Sequence, residues 1–111
     1  MREIKFRAFH KGEMRDVICI DWLNRLVDLV GGFIEIPFKD VELMQYTGIK
    51  DVTGVSIYEG DVIEEAVKGS YHGLVEYHRG KWWCEGDSLD DASRYCKVIG
   101  NKFENPELLS D

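Results

Sequence analysis

Hydrophobic and polar positions alternate from the first residues onward. Over residues 2–9, Ile4, Phe6 and Ala8 fall on one face and Glu3, Lys5 and Arg7 on the other. That period-two pattern predicts a strand with one buried face. Phe9 breaks the polar face, and Lys11-Gly12 reads as a turn. Residues 16–23 are rich in β-branched side chains and apolar on both faces, as for a strand covered on two sides. Asn24-Arg25 punctuates them. Residues 26–30 and 33–36 flank Gly31-Gly32, a hairpin signal because glycine supplies the positive φ angles of a primed turn. A helix over residues 17–30 is the rival reading, since Ile20, Leu23, Val27 and Val30 also fit a helical spacing. The Val and Ile content and the Gly-Gly stop favour strands.

Residues 37–43 read as a connector with one helical turn, and Asp51-Val52-Thr53-Gly54 as a tight turn with Gly54 in the left-handed position. Residues 57–65 predict a strand interrupted at Glu59-Gly60 by a bulge or bend. Residues 69–78 and 81–85 form a second hairpin about Arg79-Gly80, and residues 88–93 open like a short helix that Ser88 can cap. Residues 95–103 close the pattern as a strand, followed by a tail over about 104–111. Many short strands, Gly-rich turns and almost no helix predict a mainly β fold, either a small barrel or two packed sheets.

The chain's 111 residues fit one domain, 1–111, with room for a core that needs no staples. The net charge of -7 is unevenly spread. Residues 1–50 are neutral, whereas residues 51–111 carry six basic and thirteen acidic side chains. Phosphate contacts demand a basic stripe, and none is visible, so nucleic acid is disfavoured as a partner. It is not excluded, because Arg2, Lys5, Arg7 and Lys11, with Lys81, can still assemble a basic face in three dimensions. Three cysteines, no leader pattern and no apolar run near the ~18 residues of a membrane span predict a cytoplasmic protein with reduced thiols and no membrane partner.

Three ordered blocks resemble the YopX family of small phage and prophage proteins. They are residues 1–9, then 43–51 continuing through Gly54 to Ile57-Tyr58-Glu59-Gly60-Asp61-Val62, then Val98-Ile99-Gly100-Asn101 followed by Glu104-Asn105-Pro106-Glu107-Leu108-Leu109. The resemblance implies a mostly β domain with an SH3-like roll or barrel of short antiparallel strands and expression in a bacterial host. It carries no reaction and no ligand. Phe9-His10 departs from the family's more usual Trp-Asp. Gly54, Gly60 and Asp61 read as structural turn residues: glycine permits the bend, and the Asp side chain can accept from nearby amides.

Candidate chemistry is sparse. Cys84 and Cys96 are twelve apart with no Cys-x-x-Cys pair, and His72 and His78 lie some ~20 Å apart on a straight strand. No metal and no cofactor are therefore expected, and the cysteines read as small buried apolar residues. Cys84 with His72 or His78 is a conceivable nucleophile pair with nothing to mark it as activated. Asp87, Asp90 and Asp91 form the densest acidic cluster, without a calcium-loop spacing; a solvated loop leading into a helix cap accounts for it. The aromatics Tyr71, Tyr77, Trp82 and Trp83 lie within thirteen residues. Adjacent Trp82 and Trp83 must point to opposite faces of a strand, so one indole lies near the surface unless both faces are covered.

These features point to a non-enzymatic binding module. It would hold a host or phage protein by the aromatic hairpin and the acidic second half, by charge complementarity with a basic partner. A nucleic-acid accessory role is the alternative. Exposed strand edges also invite pairing into a homo-oligomer.

Overall fold

The computed structural model describes residues 3–67, 69 and 72–109. Eleven strands, one short α-helix and two 3-10 turns occur among them. The chain divides into two compact units, residues 4–45 and residues 46–111 with the N-terminal three.

In the first unit the alternation becomes a meander. β1 (Phe6–His10) lies between β2 (Glu13–Asp21) and the opening residues of β5 (Glu42–Lys50), with Ala8 opposite Arg15 on one side and Leu43 on the other. β3 (Leu26–Leu29) and β4 (Phe33–Pro37) follow as the hairpin about Gly31-Gly32, whose φ angles are +104° and +89°. The rival helix over 17–30 is thus excluded; the three-residue glycine loop between Leu29 and Phe33 and the β-branched content win. Ala8, Val27, Leu29 and Val41 form the buried core, with Val17, Ile20, Phe33 and Ile36 packed against it. A 3-10 turn, Phe38–Asp40, makes the connector.

Two expectations are corrected here. Ile4 precedes β1 and is 73% exposed, so the buried face begins at Phe6. β2 is covered on one face, not two: Ile18 is 67% exposed and Cys19 is exposed, and Trp22 just beyond the strand is 62% exposed. The registers of β2–β3 and β3–β4 each slip by a bulge, between Val17 and Cys19 and between Val27 and Leu29. A bulge breaks the alternation, and an apolar residue at the slip is turned to solvent.

The second unit takes the rest of β5, which pairs with β6 (Ser56–Tyr58). Its other strands are β7 (Asp61–Glu65), β8 (His72–His78), β9 (Lys81–Cys84), β10 (Asp87–Ser88) and β11 (Cys96–Asn101), in the spatial order β10-β9-β8-β7-β11. The helix α1 (Leu89–Ala92) sits between β10 and β11 in sequence. Ile57, Ile63, Val75, Trp82, Cys84, Leu89, Ala92 and Cys96 make one core. The protein is therefore mainly β, with two antiparallel sheets and one short helix. It is not a closed barrel: β10 is two residues long and pairs only with β9, so that sheet ends there.

Buried polar side chains tie the turns of this unit. The Asp51 carboxylate accepts from the Thr53 amide and hydroxyl and the Val55 amide through Oδ1. Its Oδ2 accepts from the Val98 amide on β11 at 2.8 Å. Burial alone would raise its pKa, but these hydrogen bonds outweigh it and hold the carboxyl below its ordinary value. Asp61 Oδ2 accepts from the Tyr58 amide at 2.8 Å across the bend at Gly60, where φ is +86°. Asn101 Oδ1 accepts from the amides of Phe103 and Glu104, while Asn105 Oδ1 accepts from the Asn101 amide. Ser88 occupies the N-cap position of α1, but its side chain makes no capping bond, which corrects the expected cap.

Candidate functional site

The β8–β9 hairpin turns at Arg79-Gly80, where φ is +54° and +74°. Two consecutive positive angles give the primed turn whose twist matches the flanking strands. The register sets Tyr77 opposite Trp82 and Glu76 opposite Trp83, and cross-strand partners share a face. On one face Val75 and Cys84 are buried, Trp82 is 8% exposed, and Tyr77 at the rim is 53% exposed. Trp82 holds the Tyr77 ring edge-on, with centroids 4.7 Å apart. On the other face Trp83 stacks on His78 at 5.4 Å, donates its indole N–H to the His78 carbonyl at 3.0 Å, and lies under the Lys81 ammonium. Both indoles are thus oriented, one inward and one half-exposed.

Beside the hairpin tip lies a hollow of about 260 Å³ lined by Thr47, Gly48, Ile49, Gly80, Lys81, Trp82 and Asp90. Its floor is a bulge. Thr47 is buried, donates its hydroxyl to the Ile57 carbonyl at 2.8 Å and accepts from the Ile49 amide at 3.1 Å. Gly48 takes φ +84°, and the β5–β6 register slips between Tyr46 and Lys50. Asp90 comes from the first turn of α1. Such a hollow is below the roughly 300–1,000 Å³ of drug-sized sites and fits one projecting side chain. Its carboxylate and ammonium offer that side chain charge of either sign.

The structure brings Tyr77, Trp82, Trp83 and Asp90 to one hairpin neighbourhood. Asp87 at the start of β10 and Asp91 in α1 are exposed but do not line the hollow. Tyr71 and Arg2 lie outside the described residues. Gly54, at φ +93°, donates its amide to the Asp51 carbonyl. Cys84 faces the core while His78 stacks on the opposite face, so strand alternation keeps those two apart. His72 instead contacts the Leu108 carbonyl through Nε2. Cys84 and Cys96 are buried together, and burial, with Cys84 nearby, pushes the Cys96 thiol up to about 11. Cys19 is exposed, against the expectation of a buried thiol, because it sits at the β2 bulge. Among the described residues no three His, Cys, Asp or Glu side chains converge as a metal site would require. No helix among them is long and apolar enough to cross a membrane. Of the basic residues weighed for a nucleic-acid face, Lys5 and Arg7 are half-buried and Lys11 and Lys81 exposed.

Sequence reasoning missed Thr47, Gly48 and Ile49. The available signal was Gly48 inside a strand pattern, which marks a bulge or a close backbone approach.

The fold and site define a small two-sheet β protein with an aromatic hairpin beside a side-chain-sized hollow. The YopX protein family matches residues 5–110, nearly the whole chain, and the chain belongs to that family. The crystal structure of protein EF1440 from Enterococcus faecalis is similar, with a TM-score of 0.76 and 26% identity over 99% of this chain and 100% of that one. No curated protein matches.

Proposed function

We propose that this is a phage- or prophage-encoded binding module that acts without catalysis in the cytoplasm of a bacterial host, and that it docks a host or phage protein on the β8–β9 hairpin. The observation that carries this is the pre-set pair Tyr77–Trp82, an exposed ring held edge-on by a buried one beside a hollow containing Asp90. Rigid aromatics bind at low entropic cost because their orientation is already paid for. The exposed carboxylates Asp87, Asp90 and Asp91 favour a partner with a basic side chain for the hollow and a basic rim around it.

Affinity capture from host lysate, with and without infection, tests this. A partner retained by the wild-type chain should be lost by Tyr77→Ser combined with Asp90→Asn, and weakened by salt. Retention unchanged in that variant, with its fold confirmed by circular dichroism, would refute the hairpin as the docking site. Light scattering on the same samples separates a captured partner from self-association.

A further inference from the structure

The first unit carries a second cleft, of about 500 Å³, lined by Asn24, Arg25, Leu26, Pro37, Phe38 and Lys39. Its walls follow from local structure. The Leu26–Pro37 pair ends the β3–β4 ladder, and the Phe38 amide donates to the Arg25 carbonyl at 2.9 Å, which fixes the 3-10 turn against the loop. Arg25 takes φ +58°, and Asn24 is held by its amide and side chain on the Asp21 carboxylate, at 3.0 and 2.8 Å.

Two cations of this cleft and one indole beside it are open to a ligand. Arg25 and Lys39 are exposed cations that make no ion pair among the described residues. The nearby Asp21 carboxylate is already engaged by Asn24. Trp22 does not line the cleft but packs against its wall residue Phe38; it is 62% exposed, and its ring makes T-shaped contacts with Phe6 and Phe38 at 6.2 and 5.6 Å. An exposed indole held in orientation offers a flat stacking surface. Unpaired cations on an apolar cleft call for an anion joined to an apolar body. The volume lies in the range for a nucleotide-sized ligand.

We propose that this cleft binds a nucleoside phosphate, with the base on Trp22, the phosphate between Arg25 and Lys39, and the sugar over Leu26, Pro37 and Phe38. A mononucleotide fits better than a polymer. Residues 1–50, which hold the cleft, are neutral and offer no basic track for a long polyanion, whereas two local cations match one phosphate group. An acidic peptide would use the cations but not the flat indole.

Adenosine monophosphate titrated into the isotopically labelled full chain tests this by NMR. The expected result is saturable shifts of the Trp22 indole and of the Arg25 and Lys39 amides. The Arg25→Ala/Lys39→Ala variant, altered only at exposed positions, should bind at least about tenfold more weakly, and Trp22→Leu should also weaken binding. Inorganic phosphate should bind at least about tenfold more weakly than the nucleotide. Absence of saturable shifts at these residues would overturn the proposal. So would equal binding of inorganic phosphate, which would make the ring irrelevant, or tighter binding of a polyglutamate peptide, which would assign the cleft to an acidic protein.

Discussion

The two units solve the same problem with different chemistry. In residues 4–45 the strands are held by apolar packing about Ala8, Val27 and Leu29 and by a Gly-Gly hairpin, and His10 is the buried polar residue. In residues 46–111 a larger apolar core is joined by buried Thr47, Asp51, Asp61, Ser93 and Asn101, most of which satisfy turn amides. Short strands joined by irregular turns leave amides that the ladders do not reach, and a buried amide without an acceptor costs about 1–3 kcal/mol. In the first unit the amides of Asn24 and Glu35 are taken instead by the half-buried carboxylates of Asp21 and Asp28. The blocks 43–62 and 98–109 that carry the family resemblance contain these tied turns, so they specify architecture.

The comparison can be broken most severely at Leu29, which is fully buried in the first unit. Leu29→Ala should lower stability by about 2–5 kcal/mol in urea unfolding, with the same cost at neutral and acid pH because no titrating group is removed. Asp51→Asn should cost about 2–3 kcal/mol at neutral pH, since an amide replaces a carboxylate that accepts four hydrogen bonds. Here the cost should depend on pH. The folded carboxyl titrates below its ordinary value, so its contribution is complete above the ordinary carboxylate range and disappears as pH falls through the lowered folded value. Unfolding midpoints of wild type and Asp51→Asn should therefore converge in acid, while those of wild type and Leu29→Ala stay apart. Equal pH dependence of the two variants would erase the distinction between the units. The smallest effect belongs to Ser88→Ala, expected within about 0.5 kcal/mol rather than the roughly 1 kcal/mol of a working cap, because the Ser88 side chain makes no capping bond.

Much of the architecture was legible because it is local. Gly31-Gly32, Arg79-Gly80 and Glu59-Gly60 mark turns whose backbone angles only a few residue types tolerate, and alternation places Trp82 and Trp83 on opposite faces whatever the fold. The exposed Ile18 and Cys19 were not legible. A bulge moves one strand relative to its neighbour, and the residue that slips is chosen by the partner strand. Nor was the missing Ser88 bond, since a cap depends on where the side chain points after the helix has packed.

The same division holds for the two candidate sites. The aromatic hairpin follows from a periodicity of two and a turn, which are properties of neighbours in sequence. The hollow needs Thr47, Lys81 and Asp90 from three different elements, and the second cleft needs Arg25 and Lys39 from either side of a hairpin. Chain order alone determined the β character, the turn positions and which indole faces which way. Only tertiary packing decided which charges stand together and which apolar faces stay open, because those outcomes depend on registers and bulges that strand pairing sets and that the pattern along a single strand does not contain.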